Sequence, residues 1–170
     1  DCSAHERGEI CISNPGVSEH VYTLDKANQN TTFKNLFRTG DLGYFDDDGY
    51  VWITGRAKDT IIRGGHNIDP ALIEDLLSSH SSVAMVGAIG QPDIKLGEVP
   101  CAYVEMVSGS ELTSSDLMQY IKDNSKDKLA VPSYVEIMEE LPKTAVGKIF
   151  KPSLRKSAIT RVYNEELKKK

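Results

Sequence analysis

The 170-residue sequence is poor in cysteine and in tryptophan, and it carries no surplus of positive charge. Its three cysteines, Cys2, Cys11 and Cys101, are odd in number, and their spacing fits neither a disulfide framework nor a C-x-x-C pair. Cys101 lies in an apolar strand pattern and reads as a small buried hydrophobe. Thiols of this kind point to the cytoplasm. Cys2, His5, Cys11 and His20 are close enough in sequence to raise the question of zinc, but no regular ligand spacing supports it and no metal site is assigned. A net charge of −5 gives no reason to expect a nucleic-acid partner. No apolar run is long enough to span a bilayer, so no transmembrane segment is expected. Internal repeats, low-complexity tracts, a signal peptide and an initiator Met are all missing. The opening, Asp1-Cys2-Ser3-Ala4-His5-Glu6, looks like a cut edge, and a longer polypeptide is expected.

What is present is the composition of a globular chain, with 39% hydrophobic and 26% charged residues and length enough for one core or two small ones. Gly8 to Ser13 alternates as a strand does, Asn14-Pro15-Gly16 is turn chemistry, and the polar stretch 25–35 reads as a surface loop. Two aromatic and β-branched runs, 36–45 and 50–54, flank Asp48-Gly49 and predict a hairpin. The pattern changes after Gly55. A strand over 59–62 precedes a double glycine, Gly64-Gly65. Asp69-Pro70 then predicts the start of a helix over 70–79, with Leu72, Ile73, Leu76 and Leu77 inward. Strands are expected at 83–89 and 99–107, with Gln91-Pro92-Asp93 turning between them. Thr113 or Ser114 caps a helix reaching about Asn124, with Leu117, Met118 and Ile121 buried. A strand at 133–138, a loop at 141–148 and a short helix from Pro152 complete the order, and the stretch from Ala158 reads as a solvated, frayed basic end. The fold class is α+β, a small β segment followed by a compact β-α-β-β-α-β domain. The parts are 1–57, 58–157 and a basic tail, 158–170.

Three places combine charge, glycine and an expected loop. In Arg38-Thr39-Gly40-Asp41 a carboxylate on a tight turn can accept two hydrogen bonds from a vicinal diol such as that of a ribose. In the stretch from Gly55 to Pro70, charges at Arg56, Lys58 and Asp59 precede a strand, which suits a pivot between two bodies. The Gly64-Gly65 turn behind it lets a ligand approach the backbone closely. In Pro142-Lys143-Thr144-Ala145-Val146-Gly147-Lys148-Ile149, a lysine on a loop can carry a point charge to phosphate or carboxylate oxygens. Taken singly, each is as readily a capping aspartate, a strand-turn-helix with solvated charges, or a solvated loop lysine.

Their order and separation resemble the adenylate-forming (AMP-binding) superfamily of acyl-CoA synthetases, peptide-synthetase adenylation domains and beetle luciferases. Gly8-Glu9-Ile10-Cys11-Ile12 looks like the family's Gly-Glu-Leu strand, and Phe37 to Asp41 matches its aromatic-Arg-Thr-Gly-Asp motif. Residues 55–74 match the long Gly-Arg-x-Lys/Asp-Asp motif ending in Ile-Glu, and residues 141–149 match Leu-Pro-x-Thr-x-x-Gly-Lys-Ile. The stretch 64–68 looks most like an acyl-CoA synthetase.

The resemblance implies ATP (leaving as AMP), CoA and a carboxylic acid, fatty or otherwise hydrophobic, as reactants. Asp41 would bind the ribose diol, with Arg56 against the ribose or phosphate. Lys148 would be the catalytic lysine of adenylation and Lys58 the hinge. Gly64 and Gly65 would border the CoA arm. The family's phosphate loop and its adenine- and magnesium-binding segment are not in this sequence, so magnesium ligands are expected upstream, in the chain's own large domain. The isolated chain is therefore expected to be inactive. A peptide-synthetase adenylation domain and a non-catalytic interaction module are the alternatives.

Overall fold

The computed structural model describes residues 2–13, 31–34 and 36–169. Asn14-Pro15-Gly16, His20 and most of the expected 25–35 loop lie outside them. The chain divides into two compact units, Asp1–Lys58 and Asp59–Lys170.

Among the described residues, the first unit is a four-stranded sheet. Strand β3 (Leu36–Phe45) lies at its centre, antiparallel to β1 (Gly8–Ile12), to the short β2 (Thr32–Phe33) and to β4 (Val51–Arg56). The Asp48-Gly49 signal marks the β3–β4 hairpin, and the aspartate run has a structural reason. The Asp46 carboxylate accepts from Trp52 Nε1 at 2.7 Å, from Tyr50 N–H at 2.8 Å and from Asp48 N–H at 3.1 Å. The Trp52 bond leads in pulling that carboxyl below the usual aspartate range. Thr32 and Phe33 pair with β3 as a strand, where the sequence suggested only loop.

The second unit is a five-stranded sheet carrying three helices. A 3₁₀ turn, Ala57–Asp59, leads to β5 (Ile61–Arg63), β6 (His66–Ile68), α1 (Ala71–Ser78), β7 (Val83–Asp93), β8 (Gly97–Met106), α2 (Ser114–Asn124), β9 (Tyr134–Met138) and α3 (Lys151–Lys168). β8 is the organising strand: it is antiparallel to β7 along its length and to β5 at its start, and parallel to β9. One core layer joins Ile61, Ile73, Leu77, Val104, Leu117 and Ile121 under α1 and α2. The other joins Ile89, Cys101, Tyr103 and Leu141 to Leu154 and Ala158 of α3. Each such aliphatic side chain contributes about 1.5–3 kcal/mol on burial. Thr113 caps α2 in a full capping box with Asp116.

Four expectations are corrected. The double glycine does not hand the chain straight to a helix; it joins β5 to a further strand, β6, with Arg63 paired to His66. Gln91-Pro92-Asp93 continues β7, and the turn falls at 94–96, where the Asp93 carboxylate accepts the N–H groups of Lys95 and Leu96. Leu72 points outward, at 52% exposed. The basic end is no frayed tail, because α3 runs to Lys168, Ala158 is fully buried, and the Arg161 guanidinium lies 3.4 Å from the Tyr134 ring centroid.

Candidate functional site

In the first unit the antiparallel register sets Asp41 opposite Arg56, and the Arg56 Nε–Asp41 Oδ1 distance is 2.7 Å. The turn that presents Asp41 is tied from two sides. Thr39 Oγ1 donates to Ile10 O at 2.8 Å and accepts Asp41 N–H at 3.0 Å. Glu9 accepts Gly40 N–H at 3.2 Å and Arg38 Nε–H at 2.9 Å. Glu9 was missed from the sequence, where it was only part of a strand pattern; its carboxylate clamps both the Arg and the Gly of the motif. The Asp41 side chain is 25% exposed, and its Oδ1 carries the arginine contact. A partly exposed carboxylate is an acceptor of the kind a diol needs.

In the second unit Gly64 and Gly65 form the two-residue turn of the β5–β6 hairpin, with φ of +56° and +87°. Side-chain-bearing residues are strained at both positions, so the pair has a backbone reason before any ligand is considered. Gly64 N–H donates to Leu96 O at 2.8 Å, and a Cβ on Gly65 would meet no atom within 4 Å. The hairpin therefore shows a bare backbone edge to open space.

Lys148 sits on the loop between β9 and α3. The loop is closed at its base by a bridge between Lys143 and Ile149, and Phe150 N–H donates to Pro142 O at 2.7 Å. Thr144 Oγ1 accepts Lys148 N–H at 3.2 Å, and Gly147 supplies the φ of +77° that the turn needs. The threonine and glycine of the motif are thus structural, and the lysine is what they present. Lys148 is exposed and makes no ion pair among the described residues, whereas Lys143 and Lys151 on either side are each paired to glutamates.

The hairpin and the Lys148 loop belong to opposite stretches of β8. Arg63 pairs with Gly97 at the strand's start, while Ile149 packs over Gly87, which pairs with Tyr103 six residues further on. Six residues of strand span about 20 Å. Lys58 lies in the 3₁₀ turn at the boundary of the units, exposed. The next residue, Asp59, is held by Arg155 Nη2 at 2.8 Å. Of the residues in which zinc was considered, His5 places Nε2 3.2 Å from Asp47 Oδ2. Cys101, expected as a small buried hydrophobe, is buried, with its thiol pushed up to about 12 chiefly by desolvation.

These elements define a class: a two-unit chain whose α+β domain presents a solitary lysine at one place and a glycine edge at another. Residues 72–148 match the family model described as the AMP-binding enzyme C-terminal domain, and the chain belongs to the adenylate-forming, AMP-binding enzymes. It is 46% identical over 165 residues to marinolic acid–CoA ligase of Pseudoalteromonas sp. (strain SANK 73390), covering 97% of this chain and 25% of that protein. It is 37% identical to 2-succinylbenzoate–CoA ligase of Bacillus cereus (strain Q1), covering 89% and 31%. Among solved structures, ATP-bound MatB from Rhodopseudomonas palustris superposes with a TM-score of 0.84 at 28% identity, over 92% of this chain and 31% of that one. The o-succinylbenzoate CoA synthetase of Bacillus subtilis, solved with its acyl-adenylate intermediate, gives 0.79 at 34% identity, over 91% and 31%. The chain therefore spans between a quarter and a third of the length of these relatives.

Proposed function

We propose that this chain is the C-terminal part of an AMP-forming acyl-CoA synthetase, an acid–thiol ligase joining a fatty or other hydrophobic carboxylic acid to CoA at the expense of ATP. In the first half-reaction the carboxylate attacks the α-phosphate and pyrophosphate leaves. In the second the CoA thiol displaces AMP from the acyl-adenylate. Asp41 accepts the ribose hydroxyls and Arg56 lies against the ribose or phosphate. Lys148 meets the negative charge that is redistributed during phosphoryl attack. Magnesium, when bound, neutralises phosphate charge; its ligands are assigned to the upstream large domain, the chain's principal partner. Lys58 is the hinge between half-reactions, and Gly64-Gly65 line the path of the pantetheine arm. The cytoplasm, where ATP and CoA are at hand and thiols stay reduced, suits the reading. Without a phosphate loop the chain alone is not expected to exchange pyrophosphate.

The observation that carries this reading is the contrast between an exposed lysine with no ion pair among the described residues and a bare glycine edge, whose supporting elements meet β8 at places about 20 Å apart along that strand. One domain then serves two chemical steps by showing two faces in turn. In the complete protein, Lys148→Ala is expected to lower carboxylate-dependent ATP–pyrophosphate exchange by about 10²–10³-fold. Thioester formation from supplied acyl-adenylate should stay within about threefold. Equal losses in both half-reactions remove the assignment.

A further inference from the structure

We infer that Glu105 and Glu74 are positioning residues for Lys148, holding the two feet of its loop and occupying the two lysines that would otherwise compete with it. The inference rests on the assignment of Lys148 to adenylation. At the first foot, Glu105 of β8 accepts Leu141 N–H at 2.9 Å and pairs with Lys143 Nζ at 3.0 Å. Lys143 also reaches Glu140 Oε1 at 3.3 Å. At the second foot, Glu74 of α1 accepts Ala88 N–H of β7 at 2.8 Å and pairs with Lys151 Nζ at 2.8 Å. Lys151 opens α3, three residues beyond Lys148.

The two feet share one design. Each glutamate accepts a backbone N–H and a lysine ammonium, and in each pair neither side chain is more than 26% exposed. Such shared carboxylates are better defined than freely exposed surface pairs, which contribute little. The Leu141 amide leads in drawing the Glu105 carboxyl below its usual range, and Glu105 in turn raises the Lys143 ammonium. Lysines 143, 148 and 151 all lie within nine residues. An approaching phosphate would attract all three, and only one can be correctly placed for the transferring oxygens. With the outer two compensated, the loop offers a single uncompensated charge on a base pinned to β8 on one side and to α1 and β7 on the other. Placement of this kind counts in rate because the lysine's freedom is lost before the reaction rather than during it.

The experiment uses the complete protein and both half-reactions. Glu105→Gln and Glu74→Gln keep an oxygen for the backbone N–H while removing the ion pair, so the fold is retained. Each is expected to lower kcat for pyrophosphate exchange about tenfold. Thioester formation from supplied acyl-adenylate should hold at the unaltered rate. Lys151→Arg, which keeps the pair, should retain exchange, and Lys151→Met should lose it as Glu74→Gln does. If the glutamine variants leave exchange intact while Lys148→Ala abolishes it, or slow both half-reactions together, the positioning role is overturned and the lysine assignment stands. If Lys148→Ala itself leaves exchange intact, the assignment fails, and the inference with it.

Discussion

The Gly64-Gly65 hairpin and the Lys148 loop are built by opposite means. At the hairpin the backbone is what is presented: two residues turn at positive φ, and a Cβ on Gly65 would meet no atom within 4 Å. At the loop, everything but one side chain is spent on restraint, through a bridge, a threonine, a glycine and two glutamate-held feet. A site for a slender thiol arm calls for the removal of atoms, whereas a site for developing charge calls for one atom delivered to a fixed place. The two requirements conflict at a single point of the surface, and the proposed function assigns them to two places on one domain.

The contrast can be broken from the hairpin side first. Gly65→Trp is expected to lower thioester formation about 10²-fold through obstruction and misplacement. Adenylation should change by no more than about threefold. A matching fall in pyrophosphate exchange would show that the two elements do not divide the work. From the loop side, a Cβ at Gly87 would lie 2.6 Å from Leu154 Cδ1 and 3.1 Å from Ile149 Cγ2. Gly87→Ala should therefore cost about 1–3 kcal/mol in stability by denaturant melting. It should slow adenylation more than thioester formation, and an unchanged midpoint would mean that the Ile149 end of the loop is free to shift. The mildest probe is pH. Glu105 is depressed, so its contribution is present above the unfolded carboxyl pKa and lost as pH falls through the folded one. Lys143 is raised, so its contribution is present below the unfolded ammonium pKa and lost as pH rises through the folded one. The difference in thermal midpoint between the wild type and Glu105→Gln should hold steady from about pH 6 to 9 and shrink below about pH 4. A difference that persists at low pH would mean that the ion pair is not its source.

The sequence was legible wherever a local rule and the tertiary outcome agreed. Asp48-Gly49 marked its hairpin, Thr113 its helix cap, and the alternation of elements the α+β class. It misled where distant packing decided. Pro92 looked like a turn but pairs with Glu98 inside β7, because the true reversal belongs to the Asp93 side chain. Ala158 sits in a basic stretch and gives no apolar signal, yet it is the small surface that lets α3 lie against the sheet. Gly64-Gly65 between two short β-branched stretches was itself a hairpin signal, and reading it only as a strand break cost β6. At the site, the residues that would meet reactants were readable as motifs. Those that hold them, Glu9, Glu74 and Glu105, were not, since each acts on residues from 14 to 77 positions away.

The last helix also bears on how the polypeptide is made. Leu154 and Ala158 close the second core layer, over Ile89, Cys101 and Tyr103, and they are translated after every strand they cover. Until then a growing chain shows one greasy side of its sheet to the crowded cell, where sticking to neighbours competes with folding. Nascent chains stalled before residue 150 should be cut by protease across β7 and β8, and chains stalled with α3 clear of the ribosome should resist. Helix α3 is thus the last stone of an arch rather than a trailing thread.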